Sequence, residues 1–208
     1  MSRGSSMVEA RLIEDLLDVS KMVADRGWAP GSSGNTSVRI HGTDLVLIKA
    51  SGKNMSWIEP RSVLKVDLAG KILEGEGRPS KEISLHLGIY SRREDVEAVI
   101  HAHPPFATSW AIAGIQFPLL TAPGKAVLKR MPMIDFASPG SVELATIVTK
   151  AFEDNSVGAA LMKGHGVVAA GKTIYEAFNL MDWAEDAARA ALLTMNIERL
   201  ARFTPGKG

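Results

Sequence analysis

Two of the chain's five histidines stand one residue apart in VEAVIHAHPPFATSWA, residues 96–111. His101 and His103 end an apolar run and precede Pro104-Pro105, which stops a strand. Side chains at i and i+2 of a strand share a face, with Cα atoms roughly 6.5–7 Å apart. Imidazoles so placed can converge on one ion at about 2.0–2.1 Å each. They can equally be strand-end histidines bonded to neighbours. A third imidazole, His165, lies between glycines in LMKGHGVVAAG, residues 161–171. On its own a histidine in such a turn is an ordinary surface residue. Glycine, however, permits positive φ and close backbone approach, so the turn can aim the ring inward. Cysteine is absent, so any metal must take imidazole and carboxylate ligands. Three imidazoles match the open pattern of a catalytic zinc site, whereas a structural zinc needs a fourth protein ligand.

A carboxylate candidate is Glu82 in GRPSKEISLHLGIY, residues 77–90. Pro79-Ser80 marks a helix start, which puts Glu82 in the first turn, where the helix dipole stabilises a negative charge in any case. Ser80, Lys81 and the first-turn amides also form a ready anion site. His86, one turn after Glu82, reads as a packing or supporting histidine. In GSSGNTS (31–37), Gly34-Asn35 before a strand can form a backbone nest for a phosphate, and Ser51-Gly52 in IKASGKNMS can add donors. Neither stretch fits a P-loop or a dinucleotide fingerprint.

These residues need a scaffold, and apolar periodicity supplies one. Residues 9–26 carry Leu12, Leu16, Val19 and Val23 on one helical face, with Gly27 as a stop. Strands are expected at 36–40 and 45–49 as a hairpin, at 62–68 and 71–75 as a second pair, and at 96–103. Further strands are expected at 125–130, 132–136, 157–163 and 167–171. Helices are expected at 80–91, 105–113 and 141–152. The longest runs from Thr173, with Thr173 and Glu176 at capping-box spacing. Residues 1–8 read as a flexible segment and 9–208 as one α/β domain, with hairpins making the sheet antiparallel or mixed and helices covering its faces.

Composition narrows the function classes. The 208 residues suit one well-cored domain, 46% apolar and 23% charged. A net charge of +1, with no basic run of five, gives no field for nucleic acid or an anionic membrane. No apolar stretch reaches the ~18 residues of a spanning helix. The first ten residues lack the apolar core of a secretory signal, so a cytoplasmic enzyme is expected.

The motifs GSSGNTSVR, ASGKN, GRPSKEISLHLGIYSRREDVEAVIHAHPP and LMKGHGVVAAGKTIYEA occur in the order found in the class II aldolase/adducin family. Over roughly residues 9–195 the chain resembles that family, nearest to its L-fuculose-1-phosphate aldolase-like members. The resemblance implies a central, largely antiparallel β-sheet between helical layers, and often a homotetramer with active sites at subunit borders. It implies that His101, His103 and His165 hold Zn²⁺, with Mn²⁺ or Co²⁺ as possible substitutes. Glu82 becomes the catalytic carboxylate, also able to touch the metal. Gly34, Asn35, Ser51, Gly52 and Ser80, with Lys81, cradle a substrate phosphate. The implied reaction cleaves a ketose 1-phosphate to dihydroxyacetone phosphate and an aldehyde through a metal-stabilised enediolate. Lys81 departs from the aldolases, which carry serine there, and is similar to the family's 3-oxo-tetronate 4-phosphate decarboxylases. Pentulose-phosphate epimerases share the same chemistry. A non-catalytic adducin-like interaction module would have lost the histidines. A three-histidine zinc hydrolase is the remaining chemical rival. The chain's two tyrosines, Tyr90 and Tyr175, do not fall where the aldolases place an aldehyde-side proton donor.

Overall fold

Strand alternation sorts the apolar side chains onto two faces of one sheet. In the computed structural model, which describes residues 3–202, the strands are β1 (Asn35–Arg39), β2 (Leu45–Lys49), β3 (Val63–Asp67) and β4 (Ile72–Glu74). They continue with β5 (Ala98–Ala102), β6 (Met133–Ile134), β7 (Ala159–Met162) and β8 (Gly166–Gly171). Their order across the sheet is β4-β3-β2-β1-β5-β8-β7-β6. Every neighbouring pair is antiparallel except β6–β7. The expected largely antiparallel sheet between helical layers is what the chain forms.

One face buries Val38, Leu47, Ile100, Leu161 and Val167 under α1 (Arg3–Asp25), α3 (Pro105–Ala113), α4 (Ala122–Leu128) and α6 (Ile174–Ala201). The other buries Val46, Ile48, Val99, Ala160 and Val168 under α2 (Ile83–Arg92) and α5 (Val142–Phe152). Within β5, Ile100 belongs to the first core and Val99 to the second, so alternation turns His101 toward α2. No helix among the described residues is long and apolar enough to cross a membrane.

The structure moves four expected boundaries. Residues 125–130 do not form a strand but lie in and just after α4. Thr121 caps that helix by accepting from Gly124 N, and Pro123 occupies its first turn, where no amide donor is needed. The strand expected at 132–136 shrinks to Met133–Ile134, pairing parallel with Leu161 and Met162. Helix α1 begins at Arg3, not 9, and α2 begins only after Glu82, which is its N-cap residue rather than part of the first turn. Thr173 does cap α6 through Glu176 N at 3.1 Å, although the Glu176 carboxylate accepts from Lys172 N rather than closing the box on Thr173.

Candidate active site

Sheet register brings the separated motifs together. Asn35 of β1 lies opposite His101 of β5, and Val168 and Val167 of β8 lie opposite His101 and Ala102. The β7–β8 turn, Lys163-Gly164-His165, is thereby delivered to the end of β5. The glycines on either side of His165 do different jobs. Gly164 adopts φ +68°, which L side chains rarely adopt. Gly166 makes room: a Cβ there would lie 2.7 Å from Ala102 O and 2.8 Å from His103 Cδ2. Gly166→Ala is therefore expected to cost about 1–3 kcal/mol through overpacking. It should also displace His103. Denaturant midpoints and divalent-cation titration of the variant check both effects.

The three imidazoles cluster, His101 and His103 as their spacing suggested and His165 from its glycine-flanked turn. Ring centroids are 4.7 Å apart for His101–His103 and His101–His165, and 5.5 Å for His103–His165. One ring nitrogen from each lies within 4.8 Å of the others. Glu82 joins them, with Oε2 3.3 Å from His101 Nε2 and Oε1 3.2 Å from His165 Nε2.

A divalent cation fits this donor set. His101 Nδ1, 2.9 Å from Val167 O, must carry the proton it donates to that carbonyl, so Nε2 presents a lone pair. Burial, with the neighbouring imidazoles, holds His101 well below the ordinary histidine pKa. Burial, with His165, lowers His103 too. The ring nitrogen His101 Nε2 and the carboxylate oxygen Glu82 Oε1 are both buried without a hydrogen-bond partner. Buried lone pairs of this kind, His101 Nε2 beside Glu82 Oε2 and Glu82 Oε1 beside His165, are what a metal ion satisfies.

Beside the imidazoles lies a cleft of about 230 Å³, lined by Gly34, Asn35, Ser51, Gly52, Ser80, Lys81, Glu82, His103 and His165 among others. All six residues expected to cradle an anion are therefore in one place. The bridge Ala50–Pro79 and the bond Ser51 N to Arg78 O tie the two loops together. Asn35 Nδ2 reaches Ser80 Oγ at 3.1 Å and Glu82 Oε2 at 3.0 Å, so its side-chain donors are already engaged. Ser80 Oγ also accepts from Glu82 N at 3.2 Å, which leaves its own proton available to a ligand.

Of the four lining residues not singled out from sequence, Ser32, Ser33, Lys49 and Pro139, two carry unusual chemistry. Ser33 has a buried hydroxyl without a partner. Lys49 is 2% exposed and donates only to carbonyls, Lys53 O at 2.7 Å and Ala50 O at 3.3 Å. No carboxylate pairs with it among the described residues, and burial pushes its pKa down to about 8. The available signal was a lysine closing an apolar strand immediately before Ala50-Ser51-Gly52.

Neither tyrosine lines the cleft. Tyr90 is buried against Ser37, and Tyr175 donates to Asp15. A larger hollow of about 510 Å³, lined in part by Arg26, Trp28, Phe106, Asp182 and Glu185, holds none of the expected residues. Its charges are satisfied internally: Arg26 by Asp182, and Glu185 by the amides of Phe106 and Ala107 at the start of α3.

Residues 14–192 match the family described as the class II aldolase and adducin N-terminal domain. The chain belongs to this family. A class II aldolase family member from Methanocaldococcus jannaschii, an L-fuculose phosphate aldolase, is 30% identical over 89% of this chain and 98% of its own. The crystal structure of the L-fuculose-1-phosphate aldolase from Thermus thermophilus superposes with a TM-score of 0.80 at 30% identity, over 92% of this chain and 97% of the other. A 3-oxo-tetronate 4-phosphate decarboxylase of Escherichia coli is also 30% identical, over 88% of this chain and 86% of its own. The family supports an aldolase-type lyase, and the three-histidine cluster suits the metal dependence of class II aldolases.

Proposed function

We propose that the protein is a Zn²⁺-dependent sugar-phosphate aldolase that cleaves a ketose 1-phosphate of the fuculose-1-phosphate type to dihydroxyacetone phosphate and an aldehyde. The observation that carries this reading is the placement of Glu82, which touches two of the three imidazoles at one side of a cleft lined by an unpaired buried ammonium. His101, His103 and His165, with Glu82 in the resting state, are the proposed ligands. A divalent cation held by them would polarise the substrate carbonyl and stabilise negative charge developing next to it. In cleavage the C4 hydroxyl gives its proton to solvent water, the C3–C4 electron pair stays with C3, and the C4 oxygen becomes the aldehyde carbonyl. Glu82 is the group placed to carry a proton to C3, or to remove it in the condensation direction.

The phosphate takes no part in bond making. Gly34, Ser51, Gly52, Ser80 and Lys81 hold it, with Asn35 placing the Ser80 hydroxyl and Lys49 as its buried counter-charge, and this restricts the motion of the reacting end. An ammonium without a carboxylate partner is costly to bury until an anion arrives. Lys49→Met is accordingly expected to raise KM about 10- to 100-fold, from the ~1.5–3 kcal/mol of a charge-assisted bond. The pH dependence has a definite sign. Lys49 is charged below about pH 8 and neutral above it, so the phosphate dianion, which forms above about pH 6, binds best between those values and progressively loses affinity above about pH 8. Steady-state KM against pH in wild type and Lys49→Met checks this, because the variant should lose that limb.

The deciding experiment follows C3 of dihydroxyacetone phosphate by NMR in D₂O, with zinc-loaded protein and no aldehyde. Stereospecific deuterium uptake is expected. Its absence with metal bound would overturn the aldolase reading. Lys81 at the cleft and the relationship to a decarboxylase favour one second reading, decarboxylation of a 3-oxo acid phosphate, with Lys81 on the substrate carboxylate. We further propose a cytoplasmic homotetramer with sites at subunit borders, as the sequence resemblance implies. Sedimentation velocity would test the tetramer.

A further inference from the structure

A line of buried side chains runs from the interior of the α2 layer to the Glu82 carboxylate. Tyr90 Oη and His86 Nδ1 each lie 2.7 Å from Ser37 Oγ. His86 Nε2 meets Asn35 Oδ1, and Asn35 Nδ2 reaches Glu82 Oε2 and Ser80 Oγ. His86, Ser37, Tyr90 and Asn35 are at most 3% exposed.

With Glu82 ionised and His86 a neutral imidazole, as its complete burial demands, donors and acceptors can be assigned in only one way. A carboxylate only accepts, so the Asn35 amide nitrogen faces Glu82 and its oxygen faces His86. An amide oxygen only accepts, so His86 carries its proton on Nε2. Its Nδ1 then accepts from the Ser37 hydroxyl, and Ser37 in turn accepts from Tyr90. Alternation along β1 is what makes the line possible. Asn35 and Ser37 point to the α2 face, while Thr36 between them bonds Ser20 of α1 on the opposite face.

We propose that His86 is a positioning residue: held as the Nε2–H tautomer by Ser37 and Tyr90, it locks the Asn35 carboxamide in the orientation that donates to Glu82 and Ser80. A carboxamide released from His86 can rotate and set its oxygen against the carboxylate, which repels it. The lock therefore aims the proton-carrying carboxylate, and it keeps the Ser80 hydroxyl proton free for an anion. Packing alone would ask only for a side chain of similar volume at His86. The kinetic part of the inference rests on Glu82 acting as the proton carrier proposed above.

The test combines two measurements on the zinc-loaded protein. Long-range ¹H–¹⁵N NMR should find His86 as the Nε2–H tautomer, with the Asn35 side-chain amide protons protected from solvent. Protection should be lost in His86→Leu. In the C3 exchange assay, His86→Leu should lower the rate about 10- to 100-fold, the usual range for a group that orients a reacting residue. Metal content should stay unchanged. His86→Gln, whose amide can replace the Nε2–H donor, should recover most of the rate. In an Asn35→Ala background, His86→Leu should cost little more, because its effect passes through Asn35. Ser37→Ala, a smaller change, should lower the rate several-fold if His86→Leu fails to fold. An Nδ1–H tautomer, additive rate losses, or a glutamine variant as slow as the leucine variant would each overturn the proposal. If wild type shows no exchange, the aldolase reading fails. The tautomer and the Asn35 protection would still decide the positioning role.

Discussion

Replacing His103 with alanine is expected to remove the bound divalent cation and abolish turnover. The residue is one of only three imidazoles in the cluster, and no cysteine exists to substitute for it. Loss of several kcal/mol of charge stabilisation corresponds to at least about a thousandfold in rate. Metal analysis of the purified variant should show much less than one equivalent of zinc, and added zinc should not restore activity at concentrations that saturate the wild type. An active variant holding a full equivalent of metal would eliminate the proposed site. The fold should survive the change, because His103 is only partly buried, lies beyond the last residue of β5 and belongs to neither core. Far-UV circular dichroism and the denaturant midpoint would check that separation of effects.

Glu82→Gln should give the complementary result. Glutamine keeps the volume and can still meet the Asn35 amide through its oxygen, but it cannot carry a proton between solvent and carbon. The three histidines should therefore retain metal. C3 exchange in dihydroxyacetone phosphate should fall by about 10²–10⁴, the usual worth of a positioned general acid or base. Binding of dihydroxyacetone phosphate should change little, since its phosphate is assigned to Gly34, Ser51, Gly52, Ser80 and Lys81 with Lys49, all of which this substitution leaves in place. Unchanged exchange with metal bound would transfer the proton-carrying role to another group. Loss of metal together with activity would instead make Glu82 chiefly a ligand.

Much of the site was legible because its determinants are local. The i, i+2 spacing of His101 and His103 follows from the pleat of a strand. Gly164 and Gly166 around His165 show why that turn can approach β5 so closely. The six residues proposed to hold an anion were joined into one set by the family resemblance, because each loop by itself reads as an ordinary turn with spare donors. The segment 125–130 was misread for an equally local reason. Ala-Val-Leu in a short apolar stretch suits either strand or helix, and Thr121-Ala122-Pro123 at the helix start weighs more than the β-branched Val127. Lys49 was missed because lysine at a strand end normally reaches solvent. Here the chain beyond it turns back, so that its ammonium meets the carbonyls of Ala50 and Lys53.

Local sequence was enough to set most element types, the three histidines that can share an ion and the family to which the chain belongs. Helical and strand periodicities, glycine turns and ligand chemistry are properties of short stretches, and they survive without knowledge of the rest. Which side chains meet was left to the packing of the whole fold. Asn35 stands opposite His101 because β1 pairs with β5 in one register, and a slip of one residue would turn Asn35 and Ser37 away from His86. The burial of Lys49 and the line from Tyr90 to Glu82 join segments separated along the chain. Such contacts depend on how the sheet and the α2 layer pack, which no local pattern encodes.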